Sequence, residues 1–463
     1  MTSPVDDLKQ MYRIVTHEDG TKMLHVRGDA VGLVGEQHGD EWVCPLSAQN
    51  ARLLRQRLPW LNPQPLGTAI SAGFGDRLGI ATPGHAASID GTGVAPIFAQ
   101  QSVRENQRTE RTPQQVLDDA MWGVLEYGWQ DPWGADADHL KTLEDVAPFV
   151  EAGYTFFTID PGDFVDDDAN TEPLGTLQTK IGSLDWETLQ SSPSDLETRL
   201  LRPFDGLDMQ FDNLTLTRAA VKYGNAVAHT VKMARHIQAA KEGKPFDLEV
   251  SVDETETTTS LYEHLYIAAE LQRLGVPFVS LAPRFVGRFE KGVDYIGDLD
   301  ELEANIAGHA AIMRHFDSSY KLSLHTGSDK FGVYPFAVKH TSGHVHLKTA
   351  GTSYLEALRT VAHADPALFR EILEYARERY EEDRRTYHVS AQLANVPTGL
   401  SDEELPNLLD QFDARQVLHV TFGSVLNRFG ERLHAFLRAN LSQYHHHLEV
   451  HFNRHLEAFR RNA

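Results

Sequence analysis

From about residue 71 to the end of this 463-residue chain, short apolar or β-branched runs alternate with long stretches of helical periodicity. This alternation constrains the fold more than any other feature, because strands and helices in turn build a parallel sheet covered by helices. Eight runs read as strands: 78–82, 96–101, 154–160, 248–254, 278–283, 321–326, 344–349 and 418–422. Helical stretches follow most of them, at 113–127, 219–241, 260–274, 299–316, 353–363, 366–387 and 425–459. Thr112 reads as the N-cap of the first of these, with Pro113 at its first helical position. Eight strands with helices between them predict an α/β fold, a (β/α)8 TIM-like barrel. The barrel is distorted in this reading. Only about a dozen residues separate the first two strands, which is short for a helical crossover, and Pro335 interrupts the segment after the sixth. An open doubly wound sheet is the competing arrangement, but no Gly-x-Gly-x-x-Gly turn follows a strand. Residues 1–70 read as a small N-terminal extension with one helix at 47–58. Residues 71–463 read as the catalytic barrel domain, C-terminal helices included.

Composition narrows the partners. Lys plus Arg number 43 against 66 Asp plus Glu, a formal charge of −23. That balance argues against nucleic acid and anionic membrane as partners, and leaves a small molecule. The single cysteine, Cys44, excludes an intrachain disulfide and a cysteine metal cluster. No apolar run approaches the roughly 18 residues of a membrane span. The start MTSPVDDLKQMYR has no signal pattern, so a cytoplasmic location is the expectation. A homo-oligomer is compatible with a barrel of this size. The His-rich tract from His445 to His447, continuing to His451 and His455, lies in an amphipathic run and reads as the surface of a C-terminal helix.

In a barrel the active site lies at the carboxyl ends of the strands. The strand ends here carry His85, then Gln101 and Arg104, then Asp160, then Asp253, Glu254 and Glu256. Arg284 ends the fifth strand, His325, Ser328, Asp329 and Lys330 follow the sixth, and His346 and Lys348 lie in the seventh. Charge at the end of a core strand is costly unless paired, solvated or bound to metal. Alternation adds to this: Glu249, Ser251 and Asp253 share one face of their strand, as do Lys321, Ser323 and His325, and His344, His346 and Lys348. A polar barrel interior at these levels needs a reason, and a bound ion is one. Asp160, Asp253, His325 and His346 form the candidate ligand set. Imidazole plus carboxylate suits a divalent Zn, Mn, Ni, Co or Fe cation more than Ca, and leaves positions open for substrate oxygens. Arg104, Arg284, Lys330 and Lys348 at the same end point to an anionic or oxygen-rich substrate, although each can equally pair with a neighbouring carboxylate. Candidate substrate contacts are His85, Gln101, Arg104, Arg284, Ser328 and Asp329. Lys348 reads as an acid/base group or salt-bridge partner rather than a Schiff-base lysine.

Two segments carry a resemblance: Lys321-Leu-Ser-Leu-His325-Thr-Gly-Ser-Asp-Lys330-Phe, and His346-Leu-Lys348-Thr-Ala-Gly-Thr-Ser-Tyr-Leu-Glu-Ala-Leu-Arg359. They resemble the bacterial tagaturonate epimerase family. The Ile-Asp160-Pro and Val-Asp253-Glu254-Thr segments are similar to it as well, and the likeness runs from about residue 70 to the end. The resemblance implies an isomerase of hexuronate catabolism that interconverts D-tagaturonate and D-fructuronate, with a divalent metal at His and carboxylate ligands. Related proteins are associated with 4-epimerisation of fructose and tagatose. The carbon inverted lies β to the ketone, so its C–H is not acidic and enolisation cannot invert it. Retro-aldol cleavage and re-formation is one route, and transient oxidation by a nicotinamide the other. The missing glycine fingerprint disfavours the second. Asp253 or Glu254 would be the base, with Glu256 behind them. Lys348 or Lys330 would add electrostatic stabilisation, and Arg284 or Arg104 would hold the substrate carboxylate. A class II aldolase or sugar isomerase on the same ligands, and a non-catalytic sugar-acid-binding protein, are the competing readings.

Overall fold

The computed structural model describes residues 11–17 and 20–460. Four strands, β1 (Tyr12–Thr16), β2 (Lys22–Arg27), β3 (Glu36–His38) and β4 (Glu41–Pro45), form an antiparallel sheet in the order β1-β2-β4-β3. The helix Ala48–Arg57 follows, capped by the Ser47 hydroxyl. Eight strands then close a barrel: β5 (Ser71–Phe74), β6 (Ala95–Ser102), β7 (Gly134–Leu140), β8 (Phe156–Ile159), β9 (Asp247–Ser251), β10 (Phe278–Ala282), β11 (Lys321–Leu324) and β12 (Val345–Thr349). Each pairs in parallel with its neighbour in sequence, and β12 pairs with β5 to complete the ring. The expected TIM-like α/β barrel is therefore what the chain forms.

Six of the eight expected strands overlap barrel strands, and two do not. Residues 78–80 lie in a loop organised by Asp76, whose carboxylate accepts from the backbone N–H groups of Leu78, Gly79 and Ala81. Thr82 opens the helix Thr82–Ile89, with Pro83 in its first turn. The first barrel strand is instead Ser71–Phe74, which supplies the length for a helical crossover that the expected strand lacked. Its small residues serve close approach: a Cβ at Gly73 would overlap the Gln100 carboxamide inside the barrel. The expected strand 418–422 falls at the end of the helix Phe412–Val420 and the start of Phe422–Ala439. The first of these helices is buried on every side from Asp413 to Val420, so no polar stripe marks its period.

The expected helices at 113–127, 260–274, 299–316 and 366–387 form as Pro113–Tyr127, Leu261–Arg273, Leu299–His315 and Pro366–Asp383. Thr112 and Ser260 each complete a capping box with the residue three positions on. The stretch expected as one helix over 425–459 breaks at Asn440 into Phe422–Ala439 and Leu441–Leu456. The second of these packs against the helices Thr82–Ile89 and Thr352–Ala364 and carries the His tract. His451 and His455 are buried, contrary to a superficial tract. His451 Nε2 lies 2.7 Å from Asp329, and His455 Nε2 accepts from the Asp329 backbone N–H at 2.9 Å. Among the described residues, no helix is long and apolar enough to cross a membrane.

Candidate active site

The polar faces of the barrel strands meet along the axis in layers. Lowest is His346, whose Nδ1 sits 2.9 Å from the Ser71 hydroxyl, with Lys321 donating to the same hydroxyl at 2.8 Å. Above them Lys348 is held by three carboxylates: Asp136 at 2.8 Å, Asp138 at 2.6 Å and Glu249 at 2.8 Å. Burial works against charge on Lys348, but these three neighbours outweigh it and raise its pKa well above the ordinary lysine value. Lys348 is thus a fixed ammonium with no free amine for a Schiff base.

The next layer holds two imidazoles. His325, just past β11, places Nε2 2.6 Å from Glu249 and Nδ1 3.0 Å from Asp253. Asp253 also accepts from the Ser251 hydroxyl. His139 lies in β7, where the strand pairing shifts register and His139 adopts φ 56°. That break in the pleat lets adjacent Asp138 and His139 both reach the site. Its Nδ1 is 2.8 Å from Asp138, and its Nε2 faces Asp253 and Glu254 at 3.9 Å each. Each imidazole is therefore bound to one carboxylate through one ring nitrogen and turns the other nitrogen toward Asp253. The His139 Nε2 and the Asp160 Oδ2 are buried without a hydrogen-bond partner. His139, Asp253 and His325 could share one ion, as could His139, Asp160 and Glu254, since each set's ligand atoms lie within 4.8 Å of one another. Imidazole held by an outer carboxylate is the usual support of a metal ligand, so this donor set fits a divalent cation.

The electrostatics agree. Burial disfavours charge on His139, yet Asp138, Glu254 and Asp160 push its pKa up to about 10. His325 is likewise raised against burial by Asp253 and Glu249. Burial would raise Asp253, but His325 and His139 hold it far below the carboxylate norm. The cluster thus draws positive charge to the point where the two imidazoles and Asp253 meet.

This layer floors a cavity of about 190 Å³ lined by Asp253, Glu254, His325, Arg104, Arg284 and Lys291, among others. A smaller recess of about 30 Å³ shares His325, Thr326 and Lys291 with it and reaches Gln100, His139, Ser328 and Lys348. The expected residues separate accordingly. Asp253, Glu254, His325, Arg104 and Arg284 line the main cavity, and Ser328 and Lys348 the recess. Asp160 stands at the edge of the cluster beside His139. The other expected residues are not brought to it. His346 lies below, against Ser71. His85 is wholly buried, stacked on Phe74 and 2.7 Å from the Ser353 hydroxyl. Gln101 turns outward to Thr109, leaving Gln100 to face the recess. Asp329 pairs with Arg415 at 2.8 Å and with His451. Lys330 donates to the backbone carbonyls of Glu290, Val293 and Ser328, tying the 290–293 loop to the barrel. Arg284 is anchored by donating to the Thr255 carbonyl.

Strand-end reading did not find Asp136, Asp138 and His139, because β7 reads Gly-Ala-Asp-Ala-Asp-His-Leu and lacks the β-branched residues that mark strands. Its one signal is the alternation of Asp136 and Asp138 with Ala135 and Ala137. Lys291 and Arg288 come from a loop beyond β10, and Tyr387 from a segment after the helix Pro366–Asp383, with no local motif.

Comparison with known proteins places this chain in a family. A family model described as tagaturonate epimerase matches residues 4–459. The tagaturonate/fructuronate epimerase of Thermotoga maritima is 42% identical over 457 residues, covering 96% of this chain and 93% of that protein. The native crystal structure of the fructuronate-tagaturonate epimerase UxaE from Cohnella laeviribosi superposes with a TM-score of 0.91 at 37% identity, over 97% of this chain and 93% of that one. A crystal structure of the same protein with two glycerols gives the same score and identity and covers 94% of that chain. The resemblance carried by the sixth- and seventh-strand segments is thereby borne out, reaching back to residue 4 rather than starting near residue 70, and the chain belongs to the tagaturonate epimerase family.

Proposed function

We propose that this chain interconverts D-tagaturonate and D-fructuronate with a divalent cation held by His139 Nε2, His325 Nδ1 and Asp253, with Glu254 and Asp160 beside them. One observation carries the reading: two imidazoles, each fixed by an outer carboxylate, converge on Asp253 at the floor of a cation-lined cavity. When bound, the cation would act as a Lewis acid toward the substrate ketone. The protein groups supply the rest. Glu254 lines the cavity and is the better placed base, since Asp253 is engaged by His325 and Ser251. Its carboxylate takes the proton from the hydroxyl on the inverting carbon. The bond between that carbon and the carbon α to the ketone then breaks, giving an aldehyde and an enediolate. The aldehyde rotates, the bond re-forms on its other face, and Glu254 returns the proton. The Lys348 ammonium, at the recess, is committed to Asp136, Asp138 and Glu249 and holds these carboxylates in place beside the two imidazoles. Tyr387 stacks under Arg104, with the guanidinium 5.3 Å from its ring centre, and closes one side of the cavity.

The direct test is product analysis on tagaturonate, before and after stripping metal with a chelator. The reading expects fructuronate to form, turnover to vanish on stripping, and added divalent ion to restore it. Net cleavage or carbonyl migration as the only outcome would overturn it in favour of an aldolase or an isomerase.

Arg104 pairs loosely with Glu254, at 3.6 Å, and its side chain is 40% exposed at the cavity mouth. It is therefore free to clamp the substrate carboxylate. Arg104→Ala is expected to raise KM for the uronates roughly 10- to 100-fold, the loss of one charge-assisted contact. Any conversion of tagatose or fructose, which lack the carboxylate, should keep its KM. Equal losses on both substrate types would show that Arg104 does not read the carboxylate.

A further inference from the structure

At the opposite end of the barrel, where β8 and β9 begin, a second cavity of about 440 Å³ opens. It lies between the 62–65 link, the helix Val146–Ala152 and the turn after the helix Asn213–Ala240. Arg55, Lys241 and Lys244 line it, and among the described residues no Asp or Glu does. In a chain with 66 acidic residues, a cavity walled only by cations and neutral groups is unusual. It shares no lining residue with the catalytic-end cavity.

Lys241 is the informative residue. It is 5% exposed, and its ammonium donates only to the Tyr154 carbonyl, at 2.7 Å. An ammonium has three donors, so two remain without a protein acceptor among the described residues. Burial and the nearby Lys244 both disfavour its charge and lower its pKa. Arg55 is fixed by Asp118 at 2.6 Å, while Lys244 is exposed and forms no ion pair among the described residues. A buried cation is normally paired, and among the described residues Lys241 has no carboxylate partner, only the Phe157 ring, whose centre lies 5.5 Å from its ammonium.

We propose that this cavity binds a small oxyanion, a phosphate or carboxylate group, held between Lys241 and Lys244 with Arg55 and Thr155 at its margin. The ligand supplies the acceptors that Lys241 lacks and the counter-charge that the two lysines share.

The test is calorimetric titration of the full-length chain with inorganic phosphate, and separately with malonate, at constant ionic strength set by chloride. Saturable 1:1 binding of at least one probe is expected. Lys244→Ala should weaken it at least about tenfold and leave epimerase turnover unchanged. Lys241→Gln keeps a donor for the Tyr154 carbonyl and should weaken binding as much. Phosphate alone, or malonate alone, identifies which oxyanion group the site prefers and supports it in either case. Absence of saturable binding by both probes overturns the proposal. So does binding that Arg104→Ala abolishes and Lys244→Ala does not, because that places the anion at the catalytic end.

Discussion

His139→Asn is expected to lower epimerase turnover roughly a thousandfold, equivalent to about 4 kcal/mol of transition-state stabilisation, while the folded structure persists. The asparagine amide can still donate to Asp138 from nearly the position of Nδ1, so the Lys348 carboxylate cluster keeps that contact. What is lost is Nε2, the buried nitrogen that has no hydrogen-bond partner and faces Asp253 and Glu254. Metal affinity should fall by at least the 10- to 100-fold seen when even an outer support of a ligand is removed. His346→Asn makes the comparison. His346 lies a layer lower and bonds to Ser71, so that variant should retain its metal content. Metal analysis of both purified variants, with circular dichroism as the control for folding, decides the matter. Full metal content in His139→Asn, or loss confined to His346→Asn, would return the site to the ligand set read from strand ends alone.

That contrast shows what sequence patterns can and cannot locate. The barrel was legible because six strands are apolar or β-branched runs of ordinary kind, such as Phe278–Ala282 and Lys321–Leu324. Their ends pointed to the layer in which Asp253, Glu254 and His325 stand together. The missed strands are β5, Ser-Ala-Gly-Phe, and β7, Gly-Ala-Asp-Ala-Asp-His-Leu. Their small and acidic residues are poor strand formers, and tertiary pairing overrides that preference. β7 is also where the chemistry concentrates, because carboxylates tolerated inside a barrel need Lys348 from a strand 210 residues away. No local window contains that pair. Alternation likewise put His346 on the correct face but could not give its height along the axis, which depends on the register with β11 and β5. Lys330 and Asp329 follow a strand end as a catalytic group would, yet the C-terminal helices recruit Asp329 and a neighbouring loop recruits Lys330.

Stability should collapse steeply as pH falls below about 6.5, the ordinary value for an unfolded-chain histidine. Five imidazoles are buried in neutral form away from the proposed ligands: His85, His264, His309, His419 and His455. Burial lowers the pKa of each, to about 4 for His85 and about 3 for His309 and His455, and well below the ordinary value for His264 and His419. Their surroundings explain why protons are refused. His264 Nδ1 lies 2.8 Å from His309 Nδ1, so one ring donates and the other accepts. His455 uses Nε2 to accept the Asp329 N–H and Nδ1 to donate to the His451 carbonyl. The sign follows from depressed folded-state pKa values. The stabilisation is fully present above the unfolded value and is lost as pH falls toward the folded ones. Each such group contributes about 1.4 kcal/mol per pH unit in that window, and Asp119 and Asp136, which burial raises to about 6 and about 7, oppose two of the five by taking up protons in the folded state, so the net slope is roughly 4 kcal/mol per unit near pH 5. Set against a usual total of about 5–15 kcal/mol, the folded state should be lost roughly one to four units below pH 6.5. His139 and His325 do not offset this, because with raised pKa values they are charged in both states below 6.5. Urea midpoints followed by circular dichroism from pH 8 to pH 4.5 read the effect. His455→Gln, which can still accept and donate in place of the ring, should flatten the slope by about one proton. Midpoints that stay level down to pH 5 would mean that these histidines titrate with near-ordinary values in the folded protein.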